Sequence, residues 1–249
     1  MELKNVILEK EGHLAIKRWE MSKAIIDISH HQPPSKINYD VLSQQVDWVI
    51  IRTQYGLDII DNHYKTHHNE FQKRGIPTAA YAYVLCKDST EATEEAKRFY
   101  GLTKNFQPTF WFLDVEEAYL NRENISIYQK TLRELGAKKV GVYVAHHLYK
   151  TLNLKIEEFD AVWIPRYGTN DGTPQKKPDY PCDLWQYTSK GRLDGYNGDL
   201  DLNCLTGTKP LEYFTSNYEE EYITKKQLAD IFYSISKQLR EDNSDRRTS

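Results

Sequence analysis

Between residues 110 and 119 the chain reads FWFLDVEEAY, which sets two carboxylic acids one residue apart behind an apolar run. In a strand, residues two apart share a face, so Asp114 and Glu116 point together while Val115 points away. Two carboxyls this close raise each other's cost of ionisation, so one can hold a proton while the other stays charged. That division of labour suits general acid catalysis of glycosidic bond cleavage. The plain alternative is a strand that ends in an acidic turn. Glu117 favours it, and the segment by itself leaves the two readings even. Two further places add acids: Asp27 interrupts the apolar run of AIIDIS (24–29), and Asp199 and Asp201 alternate with leucines in DLDLN (199–203). A carboxylate inside an apolar strand needs a partner or a function, because burying it unpaired is costly.

These acids need elements to hold them. Short β-branched and aromatic runs recur at AIIDI (24–28), DWVIIRT (47–53), PTAAYAYV (77–84), TFWFLDV (109–115), KVGVYV (139–144), DAVWIPR (160–166), CDLWQY (182–187) and DLDLN (199–203). Several are apolar on both faces, as parallel strands covered on two sides are. Helical patterns lie between the early runs, over 62–74, 90–103 (opened by Ser89 or Thr90) and 121–136, the last closed by Gly136. Strand alternating with helix predicts an α/β fold, and eight strands predict a TIM-like (β/α) barrel. From Tyr167 to Asp199 the stretches TNDGTPQKKPDYP and TSKGRLDGYNG read as loops, so the barrel is irregular and has few helices in its last third. Closure would gather Asp27, Asp114, Glu116 and Asp201 at one mouth. The chain divides into an N-terminal extension (1–23), the barrel (24–212) and a C-terminal segment (213–249). In that last segment Leu228, Ile231, Phe232, Ile235 and Leu239 recur at helical spacing over 221–240, ahead of a polar tail. This amphipathic helix would pack on the barrel, pair with another chain, or lead to a further phage or wall-targeting module.

Composition narrows the partners. A net charge of −3 gives no broad attraction to nucleic acid or to an anionic membrane. No segment approaches the roughly 18 apolar residues of a membrane span. Residues 1–23 carry charges every few positions, unlike a secretory signal, so synthesis in the cytoplasm is expected. Cys86, Cys182 and Cys204 are odd in number and show no paired spacing, so they imply neither a disulfide framework nor a zinc motif. The pairs His30-His31, His67-His68 and His146-His147 point apart on either a strand or a helix, so no metal and no cofactor is expected. With 18 Tyr and 5 Trp, rings are abundant near strand ends. Tyr81, Tyr83, Trp163 and Trp185, with Tyr55 beside them, read as a sugar-binding wall, because such rings match the apolar face of a pyranose. Arg166 reads as a holder for a substrate carboxylate or for one of the acids.

Eight segments, taken together and in order, resemble glycoside hydrolase family 25, the lysozymes of bacteriophage endolysins and some bacterial and fungal muramidases. They are IIDISHHQ (25–32), DWVIIRTQYG (47–56), GIPTAAYAYV (75–84), FLDVE (112–116), VGVYV (140–144), VWIPRY (162–167), LWQYTSKG (184–191) and GDLDLN (198–203). The resemblance implies a barrel with reduced helices and hydrolysis of the β-1,4 bond between N-acetylmuramic acid and N-acetylglucosamine in bacterial peptidoglycan strands. It implies Glu116 as general acid, Asp114 as its partner carboxylate, and Asp27 and Asp201 as the acids that complete the site. Asp114 would then stabilise the substrate's own acetamido group or attack the sugar directly. Two positions depart from the family pattern, Ala82 between Tyr81 and Tyr83, and Pro33-Pro34 after Gln32. They bear on substrate preference and do not touch the four acids. Two other functions remain open at this level: a peptidoglycan-binding module without catalysis, and a metal-dependent polysaccharide deacetylase. Action on the wall implies delivery by a holin or as part of a virion.

Overall fold

The computed structural model describes residues 7–10, 13–16 and 23–216. Residues 1–217 form one compact unit and 218–249 another. The helix expected over 221–240 and the polar tail lie outside the described residues. Ile7–Lys10 and His13–Ile16 pair as a small antiparallel hairpin.

The main body is a closed barrel of eight strands. They are β1 (Ala24–Ile28), β2 (Val46–Tyr55), β3 (Thr78–Tyr83), β4 (Trp111–Val115), β5 (Val140–Val144), β6 (Ala161–Pro165), β7 (Leu184–Leu193) and β8 (Tyr196–Leu205). From β1 to β7 each strand pairs in parallel with the next. The last strand breaks that rule, for β8 runs antiparallel to both β7 and β1 and closes the ring between them. All eight apolar runs read from the sequence become strands.

Three helices of nine residues or more cover the first half, α1 (Tyr64–Gln72), α2 (Ser89–Thr103) and α3 (Arg122–Leu135). Asp88 caps α2, its carboxylate accepting from Thr90 N and Glu91 N at 2.8 and 2.9 Å. Asn121 caps α3 by accepting from Asn124 N at 2.9 Å, and Gly136 ends it at φ +111°. Beyond α3 the described chain offers only short helical pieces of three to five residues, Tyr149–Leu152, Ile156–Glu158 and Leu211–Thr215.

One expectation needs correction. The stretch TSKGRLDGYNG (188–198) is not a loop; most of it extends β7 and β8 into a long hairpin that turns at Asp194-Gly195. Glycine misleads here because it serves packing as well as turning. A Cβ on Gly191 would lie 2.3 Å from Leu202, so only a bare backbone lets the two strands cross this closely. At the tip Gly195 has φ +96°, and a side chain there would strike Leu42 N and Asn38 O.

The alternation of each strand sorts its residues between two cores. Leu113, Val115, Val142, Val144 and Ile164 face outward under the helices. Trp48, Ile50, Phe112, Tyr143, Trp163 and Leu184 face inward. The interior is packed with rings, as a barrel filled by side chains requires. Its floor is closed from beyond residue 212, where the short helix Leu211–Thr215 sets Phe214 against Trp48 and Phe110 at centroid separations of 5.5 Å each. Phe214 is wholly buried. Phe214→Ala should therefore destabilise the protein by about 3–5 kcal/mol in urea unfolding, the usual range for a buried phenylalanine. A loss under about 1 kcal/mol would mean that the plug does not hold the floor.

Candidate active site

The mouth at the C-terminal ends of the parallel strands holds a cavity of about 270 Å³. Asp27 enters from β1, Asp114 from the end of β4, Glu116 from just past it, and Asp201 from β8. Because β8 runs antiparallel, Asp201 sits in the middle of its strand, not at an end, directly paired in register with Asp27. A second, open groove of about 1100 Å³ lies between residues 35–40 and the hairpin tip and shares no residue with the cavity. Its arginines are already paired, Arg74 with Asp40 and Glu70, and Arg192 with Asp199.

Each acid has a different surrounding. Asp27 is held by two amides. Gln186 Nε2 donates to both of its oxygens at 3.2 and 3.0 Å, and Asn203 Nδ2 donates to Oδ2 at 2.8 Å. Those amides are held in turn: Trp163 Nε1 donates to Asn203 Oδ1 at 2.7 Å, and the hydroxyls of Tyr143 and Tyr167 donate to Gln186 Oε1. Asp114 and Glu116 are close enough to perturb each other, and two carboxyls so placed can hydrogen-bond only if one is protonated. Asp114 Oδ1 is buried and accepts nothing from the protein. Arg52 also lines the cavity, yet its guanidinium is held from behind, Nε donating to the buried Asp61 at 3.3 Å and Nη2 meeting His30 Nδ1.

Crowding and burial push every one of these carboxyls toward its neutral form. Asp201 rises from 3.8 to about 8, chiefly by burial and then by the charges of Asp27, Asp199 and Glu116. Asp27 reaches only about 6, because the Asn203 and Gln186 amides offset part of the cost of burial. Asp114, as deeply buried as Asp27 but without amide donors, stands well above its ordinary range through burial and then through Glu116. Glu116 is also raised by burial, but the hydrogen bond from Asp114 and the nearby His147 hold it back. Burial and neighbouring charge thus favour the neutral form more strongly at Asp114 than at Glu116.

Tyr81 and Tyr83 stand inward on β3 and line the cavity. Tyr55 joins them because the pairing of β2 with β3 slips between Arg52 and Gln54. Without that bulge Gln54 would face inward and Tyr55 outward. Tyr55 stacks on Tyr83 with centroids 4.4 Å apart, and Tyr83 OH donates to Glu117 Oε1 at 2.9 Å. Trp163 lines the cavity too, but it is 1% exposed and stands edge-on to Tyr143 at 4.6 Å. It is floor, not wall. Trp185 and Arg166 are not brought to the cavity, and their expected place needs correction. Trp185 lies between the buried, inward Leu184 and the Asp27 partner Gln186, so alternation turns it outward, where Nε1 donates to Arg166 O at 2.7 Å. Arg166 is paired with Asp179 and donates to Lys177 O at 2.8 Å, which commits it to the loop before β7.

The reading of the sequence missed Gln186, Asn203 and Arg52. Each is a polar residue at an inward register position of an otherwise apolar strand, the same signal that exposed Asp27. Of the histidines, His31 lines the cavity, while His67 and His68 are buried and bond to Tyr39 OH at 2.7 Å and Thr78 Oγ1 at 2.8 Å.

The shift of Asp201 has a measurable sign. Below 3.8 the group is protonated in folded and unfolded chains alike; between 3.8 and about 8 only the folded chain keeps the proton, so stability falls as pH rises through that window. Asp201→Asn removes this loss. Its urea midpoint should gain on that of the parent progressively from pH 4 to pH 8, and a difference independent of pH would contradict the burial of Asp201.

Comparison with known proteins places this geometry. The family model described as Glycosyl hydrolases family 25 matches residues 26–196. The structure of GHIP, a glycosyl hydrolase 25 of Streptococcus pneumoniae described as a virulence factor participating in host cell invasion, is 35% identical. That match covers 78% of this chain and 92% of GHIP, with a TM-score of 0.74. The catalytic domain of endolysin ply40 from bacteriophage P40 of Listeria monocytogenes is 32% identical, over 75% of this chain and 94% of that one, with a TM-score of 0.69. The Escherichia coli (strain K12) protein YegX is 25% identical over 211 residues, 78% of this chain and 74% of its own. With the matching barrel and the family model spanning most of the chain, this protein belongs to glycosyl hydrolase family 25.

Proposed function

We propose that this glycosidase is a lysozyme that cuts the β-1,4 bond between N-acetylmuramic acid and N-acetylglucosamine, with Glu116 as the proton donor. The pair formed by Asp114 and Glu116, side by side in the mouth and each pushed toward its neutral form by burial, carries the reading. Similarity to a phage endolysin's catalytic domain supports bacterial wall glycan as the substrate.

The pair suggests how the proton reaches the atom that needs it. Asp114 Oδ1 is a buried acceptor without a protein donor. A 2-acetamido sugar seated over β4 would supply one, its amide N–H. Donation to Asp114 favours the carboxylate over the acid and so drives the shared proton across to Glu116. Glu116, near the exposed His147, then faces the glycosidic oxygen as an acid. Asp114, now charged, orients the acetamido group so that its carbonyl oxygen can close on the anomeric carbon as the leaving group takes the Glu116 proton. Substrate thus charges the catalyst. Asp27, fixed by its two amides, and Asp201, held neutral by burial, border the ring without competing for that proton.

Two measurements test this. Purified protein should clear suspended bacterial walls and release fragments with new muramic acid reducing ends. Release of N-acetylglucosamine reducing ends or of free peptide termini would sink the assignment. Glu116→Gln should lower kcat by roughly 10²–10⁴-fold with the fold intact, as loss of general acid catalysis does. Near-full activity in that variant would place the acid elsewhere. We further propose that the enzyme reaches the wall through a holin-type lesion or as part of a virion.

A further inference from the structure

The acid cavity does not end at Tyr55. A second hollow of about 340 Å³ adjoins it, sharing Tyr55, Arg52 and His31 and reaching out to Ile59, Ile60 and Asn62. The far wall is the two-residue strand Ile59–Ile60, which pairs antiparallel with the end of β2 so that Ile59 stands beside Tyr55 and Ile60 beside Gln54. These isoleucines are 57% and 37% exposed. Two neighbouring apolar side chains left in water on the rim of a catalytic cleft call for a ligand more than isolated ones elsewhere would.

The base of this hollow is rigid. Asp61 is buried and accepts from His30 N at 2.7 Å, from His63 N at 2.9 Å and from Arg52 Nε at 3.3 Å, tying the strand end to the loop after β1 and to β2. Arg52 is thereby held by Asp61 and His30, so the hollow sets an aliphatic wall beside a cation that already has its partner. That lining selects among the parts of a wall polymer. A sugar ring calls for a flat aromatic face and several partners for its hydroxyls, and Tyr55 already gives one face to Tyr83. Methyl groups and methylene chains joined by amides fit isoleucine better.

We infer that the hollow receives the peptide stem carried by the muramic acid sugar, and that Ile59 and Ile60 make the enzyme prefer peptide-bearing strands to bare glycan. The inference rests on the muramidase reading above and adds a specificity that reading does not require.

The test uses two substrates of one origin: solubilised peptidoglycan strands, and the same strands stripped of peptide by an amidase. The parent protein should turn over the peptide-bearing strands with the higher kcat/KM. In the double variant Ile59→Ser, Ile60→Ser that preference should shrink about tenfold, the scale of one or two lost apolar contacts, while turnover of bare strands is unchanged. Ile59→Ala alone should give a smaller loss in the same direction. Both isoleucines are exposed, and an unchanged urea midpoint will show that the variants fold. Equal losses on both substrates would mean that the hollow binds glycan; no loss on either would mean that it binds nothing. Either result overturns the inference and leaves the muramidase reading standing. Failure of the parent to cut either substrate would instead strike the reading beneath it.

Discussion

The electrostatic cost of setting four carboxyl groups in one dry mouth governs the rest of this structure. Four full charges there would repel one another in a medium that screens them poorly. The protein relieves the strain in three ways. Amide donors offset part of the burial cost of Asp27, burial pushes Asp114 and Asp201 toward the protonated form, and Arg52 contributes positive charge from a distance fixed by Asp61. Relief by a direct ion pair would be simpler, but it would lower the acids to their ordinary range and leave no proton to donate. Holding Arg52 against Asp61 avoids that outcome.

The aromatic interior belongs to the same account. Phe112 lies one inward step below Asp114 on β4, with Trp48, Phe110 and Phe214 packed around and beneath it. A layer of rings brings neither water nor dipoles to the acids from below. The floor therefore stabilises the fold by burial and raises the carboxyl pKa values by the same exclusion of water. Antiparallel closure matters for a related reason. A parallel eighth strand would present its acid at one end; β8 instead lays Asp201 alongside Asp27, whose charge raises the cost of ionising Asp201.

Much of this was legible in the sequence, and for a physical reason. The eight strands announce themselves as apolar runs because both faces of a barrel strand are buried. Asp27 and Asp114 stand out because a charge inside such a run is expensive. The same logic applies to Arg52, Gln186 and Asn203, but it needs the inward register of each strand, which two-sided apolar runs conceal. LWQY shows the difficulty: Trp185 and Gln186 look equally able to face a ligand until closure assigns Leu184 to the interior and so Gln186 with it. Tyr55 lies among the rings near strand ends, yet only a bulge invisible in the composition turns it to the cavity. Arg166 was drawn to the site by its charge, and its partner Asp179 lies in a loop whose path no periodicity reveals.

The burial of Asp114 bears on specificity under the proposed mechanism. A buried carboxyl without a donor ionises reluctantly, so a donor that reaches it stabilises its charge. On that proposal the donor is the substrate's own acetamido N–H, and a hexose without an acetamido group brings none to Asp114 Oδ1. Discrimination would then rest on a missing hydrogen bond and not on a pocket that excludes the wrong sugar by size. Burial of Asp114, a cost to the fold, would be the means by which substrate identity reaches the reacting bond.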